Sequence, residues 1–506
     1  MSLQEQVSTN TARHVDVLIV GAGISGVGAA HYLQENCPEK SFLLLENQPS
    51  HGGTWRTHTY PGIRSDSDLY TFGYSFRPWM GKPIAKADAI LDYMDEVIEA
   101  EGIRDLIHYQ HEVVNSSWSS EDQVWTVTVH RTDTDETLTY TAGFLWMCQG
   151  YYDHKNPYTP EWDGMGDFKG DIVHPQLWPE NYDLSDKKVV VIGSGATAAT
   201  LIPSIAGDCA HVTMLQRSPT FFFTGENRNE LADQLRALEI PDEWTHEIVR
   251  RHNLAEGQRI QDAAAQFPDL VRQELLDGVK AHLGEDFDVE THFNPSYRPW
   301  QQRLAYIPDG DLFEAMKSGQ ASIVTDHIDR FTEEGILLKS GETLEADVII
   351  TATGFNMQFL GGIPFQVDGN EIDFHNCLTH RGIMLSGIPN LAFVFGYFRT
   401  SWTMRAELVS RYVCRLLNEM DGRDAVVVTP TLRADEIDMP RKDWIDDDDF
   451  NSGYLKRGMR VMPSRGAHEP WDFSTSYYDE RVTLPEAAFD EGSALIFEQA
   501  KVTEPA

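Results

Sequence analysis

Two glycine-rich turns, one near the amino terminus and one before the middle of the chain, constrain the fold more than any other sequence feature. Each turn follows a short run of apolar, mostly β-branched residues and precedes a helical pattern. The small residues of the turns are Gly21, Gly23 and Gly26 after the run at 15–20, and Gly193, Gly195 and Ala198 after the run at 188–192. In a strand–turn–helix unit, this spacing allows a tight turn, close approach of backbone to a pyrophosphate, and close packing of helix on strand. The sequence therefore predicts an α/β fold with two Rossmann-like dinucleotide-binding domains.

The residue that follows the second strand of each unit indicates which dinucleotide binds. In the first unit a strand is predicted at 41–45, and Glu46 follows it. A carboxylate at this position hydrogen-bonds a ribose 2′-hydroxyl and repels a 2′-phosphate, which fits FAD or NAD but not NADP. The FAD contacts expected from this unit are Gly21, Gly23, Ser25, Gly26 and Glu46.

The second unit carries a cation at the corresponding position. Its second strand is predicted at 211–216, and Arg217 follows it. A guanidinium there binds a 2′-phosphate through two hydrogen bonds, so this unit should take NADPH and leave FAD to the first. The alternative is that Arg217 forms only a surface salt bridge. The NADPH contacts expected from this unit are Gly193, Ser194, Gly195, Ala196, Thr197, Ala198, Ala199, Arg217 and Ser218.

The cysteines indicate where the electrons of NADPH go. Disulfide reductases also have two dinucleotide sites, but they need a cysteine pair beside the flavin. The five cysteines of this chain are dispersed and include no Cys-x-x-Cys, which also argues against a disulfide framework or a zinc site. We therefore expect reduced thiols, no bound metal, and O2 as the electron acceptor.

A segment between the two glycine-rich turns, 168–179, reads F-K-G-D-I-V-H-P-Q-L-W-P and has neither helical nor strand periodicity. It matches F-x-G-x-x-x-H-x-x-x-W-P, and 53–66 matches G-x-W-x-x-x-x-Y-P-G-x-x-x-D. Both patterns resemble fingerprints of the type I Baeyer–Villiger monooxygenases. Further segments resemble the ethionamide-activating subgroup: 62–68, 76–79, 214–220 and 384–390. The fingerprint residues of the first pattern are Phe168, Gly170, His174, Trp178 and Pro179.

The resemblance implies an activity and a set of cofactors. Members of this family transfer hydride from NADPH to FAD, form a C4a-peroxyflavin with O2, and insert one oxygen atom beside a ketone carbonyl to give an ester or lactone. Oxidation of sulfides and thioamides is implied as a second activity. The substrate is thus expected to be a small ketone or sulfide.

The resemblance also implies roles for residues outside the glycine-rich turns. In the order of the chain, Gly53, Thr54, Trp55, Asp66 and Val113 are expected to contact FAD, the last on a strand predicted at 108–114. Arg64, Ser65 and Asp66 are expected where the nicotinamide arrives. Arg303 is the expected catalytic cation, with Arg298 as a competing candidate, and Asp66 would orient it. For the fingerprint, the alternative is that His174 only hydrogen-bonds its loop and that Trp178 only packs.

These assignments suggest a discontinuous domain organisation. We expect an FAD-binding domain at 1–150 and 355–506, an NADPH-binding domain at 151–225 and 298–354, and a helical insertion at 226–297. From about Val428 onward the sequence is acidic and shows no regular pattern.

The overall charge and the amino terminus limit the partners and the location. A formal net charge of -38 argues against binding to nucleic acid or anionic membranes. Residues 1–14 lack the apolar core of a signal peptide, and no stretch is long and apolar enough to span a bilayer, so a cytoplasmic enzyme is expected.

Two other functions are alternatives to a Baeyer–Villiger monooxygenase. They are a flavin-containing N- or S-monooxygenase and a non-catalytic FAD/NADPH redox sensor.

Overall fold

The computed structural model of the chain describes residues 12–446 and 450–501. The strands, in chain order, are β1 (Arg13–Val20), β2 (Phe42–Leu45), β3 (Ile107–His108), β4 (His111–Ser119), β5 (Val124–Arg131), β6 (Glu136–Met147), β7 (Asp171–Val173), β8 (Lys188–Ile192), β9 (His211–Gln216), β10 (Phe222–Gly225), β11 (Ala305–Pro308), β12 (Ala321–Thr325), β13 (Ile328–Thr332), β14 (Gly335–Leu338), β15 (Thr343–Glu345), β16 (Val348–Thr351), β17 (Phe365–Val367), β18 (Asn370–Glu371), β19 (Thr379–His380), β20 (Met384–Leu385), β21 (Leu391–Phe393), β22 (Ala425–Pro430) and β23 (Leu495–Gln499). The α-helices are α1 (Ile24–Asn36), α2 (Thr54–Thr57), α3 (Leu69–Phe72), α4 (Ala87–Ala100), α5 (Ala196–Ile205), α6 (Glu230–Ala237), α7 (Asp242–Gln266), α8 (Pro268–Leu283), α9 (Val289–Phe293), α10 (Asp311–Lys317), α11 (Trp402–Gly422), α12 (Gly453–Gly458) and α13 (Tyr477–Thr483).

The larger sheet has nine strands and contains the first glycine-rich turn, between β1 and α1. Its parallel part runs β3-β2-β1-β6-β21, and its other part continues through β5, β4, β17 and β18. Strand β6 belongs to both parts, since residues 136–142 pair antiparallel with β5 and residues 140–147 pair parallel with β1. The carboxyl end of β6 therefore arrives beside the first glycine-rich turn.

The second large sheet is five-stranded and parallel, in the order β12-β9-β8-β16-β7, and contains the second glycine-rich turn between β8 and α5. Its edge strand β7 lies inside the segment 168–179, for which the sequence showed no strand periodicity. β7 forms because the β-branched residues Ile172 and Val173 pair with Ile349 and Ile350 at the open edge of the sheet.

One predicted strand is wrong in its extent. The strand expected at 108–114 is divided into β3 and β4, because Gln110 has a left-handed backbone conformation with φ of 59°. The Gln110 N–H donates to the carbonyl of Gln48 at 3.0 Å, which fixes the turn. Val113 remains in a strand and pairs with Val129 of β5.

The insertion expected at 226–297 contains helices α6 to α9. Arg250 of α7 anchors the insertion to the part of the molecule that contains the nine-stranded sheet. This arginine is only 5% exposed. The Arg250 guanidinium donates to the carbonyls of Tyr70, Thr71 and Gly73 and forms an ion pair with Glu407 of α11. A charge this deeply buried needs such partners, so the insertion has a fixed position on the fold.

The carboxyl-terminal part has more regular structure than its sequence indicated. β22 and β23 form an antiparallel pair, and the side chains of Trp444 and Trp471 are buried. Helix α12 in this part reaches the cavity described below. Among the described residues, the helices are too short or too polar to cross a bilayer.

Candidate active site

A single cavity of about 1240 Å3 connects the two glycine-rich turns. It is lined by most of the residues that the sequence predicted to bind a cofactor: Gly21, Gly23, Ser25, Glu46, Gly53, Thr54, Trp55, Arg64, Ser65, Asp66, Val113, Gly193, Ser194, Gly195, Ala196, Thr197, Arg217 and Ser218. His174 and Arg303 line it as well, whereas Arg298 is not among the described lining residues. The structure therefore brings together two sets of residues that lie far apart in the sequence.

Three predicted cofactor contacts lie behind the cavity wall instead. Gly26 is in the first turn of α1, and a Cβ there would lie 1.9 Å from the carbonyl oxygen of Gly21. Ala198 and Ala199 are buried in α5 at 0% and 2% exposure. These small residues let each helix approach its strand closely, and their contact with a cofactor stays a prediction.

The amino termini of α1 and α5 both open onto the cavity. Neither helix has a capping side chain or an acidic residue in its first turn, and the residues at the two N-caps are Gly23 and Gly195. A Cβ on Gly195 would meet no atom within 4 Å, so the backbone there is open to a ligand. Unpaired N–H groups at the positive end of a helix dipole suit a pyrophosphate, and each turn therefore fits one dinucleotide.

Glu46 stands at the end of β2, at the wall of the first site. Its carboxylate accepts hydrogen bonds from the N–H groups of Ala22 at 2.8 Å and Gln48 at 2.9 Å. Burial raises the pKa of this carboxyl, and the backbone N–H groups oppose that rise. Because a carboxylate has about four acceptor positions, Glu46 retains capacity for a ribose hydroxyl.

Arg217 stands at the equivalent place in the second site, after β9, and its side chain is exposed at the cavity wall. No acidic side chain in residues 12–446 or 450–501 contacts its guanidinium. The salt-bridge alternative therefore has no partner in this part of the chain, and the guanidinium is available to a phosphate.

Arg303 and Asp66 form an ion pair between the two sites. Nε and Nη2 of Arg303 both donate to the Asp66 carboxylate, the latter at 2.7 Å. Nη1 donates to the carbonyl of Phe398 at 3.0 Å, and Nη2 also reaches the hydroxyl of Ser67 at 3.2 Å. Burial lowers the pKa of Arg303, but the Asp66 carboxylate, together with Tyr454 and Tyr151, outweighs this and leaves the pKa above its usual value. The guanidinium is a fixed cation in a set orientation, and one Nη1 N–H has no acceptor among the described residues.

The neighbours of Asp66 at the predicted nicotinamide position are already engaged with protein groups. Arg64 forms a two-point ion pair with Asp311, at the start of α10. The Ser65 hydroxyl donates to the carbonyl of Ser67 at 2.7 Å and accepts from its N–H at 3.0 Å. Both residues line the cavity, so their contact with a nicotinamide remains a prediction.

The fingerprint segment, 168–179, is hydrogen-bonded to two other segments of the chain. His174 donates from Nε2 to the carbonyl of Gly354 at 3.2 Å and accepts at Nδ1 from the N–H of Gln176 at 3.1 Å. Burial lowers the pKa of His174, in keeping with this neutral form. The Gln176 side chain donates to the carbonyl of Asp153. His174 thus binds more than its own loop, because Gly354 lies where the chain leaves β16 for the first sheet.

The other fingerprint residues serve packing and do not line the cavity among the described residues. Phe168 meets Phe331 edge-on, with ring centres 6.4 Å apart. A Cβ on Gly170 would lie 2.1 Å from the carbonyl of Asp347, so only glycine fits there. Trp178 packs edge-on against Tyr182 with ring centres 5.9 Å apart, and Pro179 follows it at the surface.

Aromatic and histidine side chains that the sequence analysis passed over form much of the remaining wall. Around the Arg303–Asp66 pair lie Tyr151, Tyr152, Phe355, Phe398, Trp402 and Tyr454. Tyr151 stacks on Trp402 with ring centres 5.2 Å apart. The signal in the sequence was the pair Tyr151-Tyr152, which comes directly after Gly150 and shortly after the buried run 144–147.

Two of the histidines carry buried ring nitrogens without a hydrogen-bond partner in the described chain. They are Nε2 of His58 and Nδ1 of His154, whose rings meet edge-on at 5.5 Å between centres. Burial, with the nearby His154 and His174, lowers the pKa of His58 to about 3. The imidazole of His58 is therefore neutral at physiological pH and offers a hydrogen-bonding group to a bound cofactor or substrate.

Known proteins resemble this chain over nearly its whole length. It is 44% identical over 468 residues to the FAD-containing monooxygenase EthA of Mycolicibacterium smegmatis, which covers 92% of this chain and 93% of the relative. EthA of Mycobacterium tuberculosis is also 44% identical, over 92% of this chain and 94% of its own length. Residues 19–95 match the family model of a NAD(P)-binding Rossmann-like domain, and residues 92–357 match that of L-lysine 6-monooxygenase/L-ornithine 5-monooxygenase.

Solved structures share the fold. An oxidised steroid monooxygenase bound to NADP superposes with a TM-score of 0.74 at 21% identity, covering 96% of this chain and 100% of that one. An open structure of cyclohexanone monooxygenase gives a TM-score of 0.69 at 20% identity, over 83% of this chain and 90% of that one. The predicted α/β fold with two dinucleotide-binding units is confirmed.

Proposed function

The chain belongs to the FAD-containing monooxygenases, and on that basis we propose that it is a Baeyer–Villiger monooxygenase that inserts one oxygen atom beside a ketone carbonyl. Ketone, O2, NADPH and a proton give an ester or lactone, NADP+ and water. The observation that carries the proposal is the cavity that connects the two turns, which contains two helix amino termini without capping side chains and the Arg303–Asp66 pair. Dependence on NADPH agrees with the cytoplasmic location expected from the sequence.

The residues of the two turns fit the two cofactors. The first site would hold FAD, with its pyrophosphate at the start of α1 and a ribose hydroxyl at Glu46. A Cβ on Gly53 would lie 3.2 Å from Cα of Gly23, so this part of the wall is backbone that a flat ligand can approach closely. Bound FAD would supply hydride acceptance from NADPH and the activation of O2.

Arg303 would supply positive charge where the substrate carbonyl gains negative charge. The cation has its orientation set by Asp66 and by the carbonyl of Phe398, so it need not reorganise during the reaction. The aromatic side chains around it exclude water, which strengthens the interaction and limits loss of reducing equivalents as hydrogen peroxide.

Oxidation of a heteroatom is the second candidate function. The match of residues 92–357 to the lysine and ornithine monooxygenases favours nitrogen oxygenation, and oxidation of sulfur was expected beside ketone oxidation. All of these activities require NADPH, FAD and O2. They differ in whether the substrate itself must develop negative charge on a carbonyl oxygen.

Product analysis tests the proposal directly. The FAD-loaded protein is incubated with NADPH, O2 and one of four compounds: a linear methyl ketone, an aryl ketone, an alkyl aryl sulfide or L-lysine. We expect esters from the ketones, formed in proportion to NADPH consumed, and some sulfoxide. Hydroxylated amine as the sole product, or NADPH consumption that yields only hydrogen peroxide with every compound, would contradict the proposal.

Arg217→Gln should change the preference for the nicotinamide cofactor. A charge-assisted contact to a phosphate contributes roughly 1.5–3 kcal/mol, so we expect KM for NADPH to rise about 10- to 100-fold. KM for NADH should stay nearly unchanged, because NADH lacks the 2′-phosphate. Steady-state rates with both coenzymes measure this, and an equal rise in both KM values would count against the assignment.

A further inference from the structure

The charged residues of the cavity wall are not all neutralised. Five of the lining residues are lysine or arginine. Three of them have acidic partners, in the pairs Arg64–Asp311, Lys155–Glu112 and Arg303–Asp66. Arg217 and Arg457 have no acidic partner among the described residues. The 2′-phosphate of NADPH accounts for Arg217, which leaves Arg457 as a cation that neither cofactor motif explains.

Arg457 is held in place by groups that do not compensate its charge. It lies on α12, with its guanidinium carbon 3.4 Å from the centre of the Tyr158 ring. Nη2 donates to the carbonyl of Phe355 at 3.2 Å, and Nε is buried without an acceptor in residues 12–446 and 450–501. Burial lowers the pKa of Arg457, as expected for a cation without a counter-ion, yet arginine stays protonated in proteins. The side chain therefore presents a positive charge and unused N–H groups at the cavity.

Arg457 is also close to the Arg303–Asp66 pair. Tyr454 lies three residues earlier on α12, and residues at this spacing share a helix face with their Cβ atoms about 5–6 Å apart. The Tyr454 phenol interacts electrostatically with both Arg303 and Asp66. A ligand held at Arg303 can thus extend along α12 to Arg457, past the rings of Phe355 and Tyr454.

We propose that Arg457 binds an anionic group of the substrate, and that the natural substrate is an oxo acid, a ketone whose chain ends in a carboxylate. This rests on the proposed ketone oxidation and names its substrate class. The aromatic rings between the two arginines suit the hydrocarbon chain that joins carbonyl and carboxylate. The net charge of -38 repels anions at long range, so specific capture of an anionic substrate needs a cation inside the cavity.

The test compares a medium-chain methyl ketone that ends in a carboxylate with the methyl ester of the same compound. Wild-type protein should show KM about 10- to 100-fold lower for the carboxylate, since a charge-assisted contact is lost with the ester. Arg457→Met should remove that preference and leave KM for the methyl ester and for NADPH nearly unchanged. Arg457→Lys should restore part of it. Arg460→Met is the matched control, because it removes an exposed arginine from the segment that follows α12.

A binding measurement separates this proposal from the proposed reaction. Isothermal titration calorimetry of the FAD-loaded protein with each compound gives Kd without turnover, so it reports on the anion site even if no ester forms. A wild-type protein that binds both compounds equally would overturn the assignment of Arg457. So would an Arg457→Met variant whose KM rises equally for NADPH and for both ketones, since the residue would then contact the cofactor. Preferential binding of the carboxylate without ester formation would overturn only the proposed reaction.

Discussion

Arg303→Met is expected to keep NADPH-dependent flavin reduction and to lower ester formation about 10²- to 10³-fold. That factor is typical for the loss of one well-placed donor to a developing negative charge. The guanidinium of Arg303 is fixed by Asp66 and by the carbonyl of Phe398, and it keeps an N–H without an acceptor in the described structure. Methionine replaces the aliphatic stem of arginine without its charge, so the orientation of the neighbouring rings should change little.

Two measurements distinguish this effect from loss of the fold. Rapid-mixing absorbance at the flavin band gives the rate of reduction by NADPH, and gas chromatography gives the ester. Arg298→Met serves as the matched control, because Arg298 comes from the same segment and does not line the described cavity. Ester formation at the ordinary rate by Arg303→Met would remove Arg303 from the reaction, as would an equal loss in the Arg298 variant.

The parts of the site that the sequence pattern alone could predict follow from local geometry. Gly21 adopts φ of 100°, a left-handed backbone conformation that favours glycine, so the tight turn itself dictates its identity. Glu46 and Arg217 follow strands whose length and apolar pattern are visible in the sequence. Such positions can be predicted with one rule alone, that the carboxyl ends of parallel strands meet at one edge of a sheet.

The parts that the residue pattern alone could not predict depend on contacts between distant segments. Arg303 and Asp66 are 237 residues apart, and only the family resemblance suggested that they meet. Arg457 gave no signal at all, because α12 is a short helix in an acidic stretch without apolar periodicity. Arg457 attracts attention only because it has no acidic partner in the described structure. Whether an arginine has such a partner depends on three-dimensional packing and cannot be read from the sequence. Strand β7 was missed for a similar reason, since the edge of another sheet defines it.

The second large effect is expected at a buried ion pair away from the cavity, where Arg405→Met should cost about 3–5 kcal/mol of stability. Arg405 on α11 is 1% exposed and donates to both oxygens of Glu480 on α13, at 2.8 and 3.1 Å. It also donates to the carbonyls of Gly382 and Phe395. Removal of the guanidinium leaves the Glu480 carboxylate, 3% exposed, without its counter-ion, and it leaves three carbonyls, including that of Arg381, without this donor.

Thermal denaturation of the FAD-loaded protein, together with limited proteolysis of the carboxyl-terminal part, measures this loss. The double variant Arg405→Met with Glu480→Leu should regain much of the stability, because an apolar pair of similar volume replaces the buried charges without leaving one unpaired. Arg251→Met is the control, since Arg251 pairs with Glu247 on the surface of α7 with 78% of its side chain exposed. A drop in the midpoint no larger for Arg405→Met than for Arg251→Met would show that the buried pair does not hold α13 on α11. Early cleavage near α13 in the single variant, suppressed in the double variant, would place the loss at that junction.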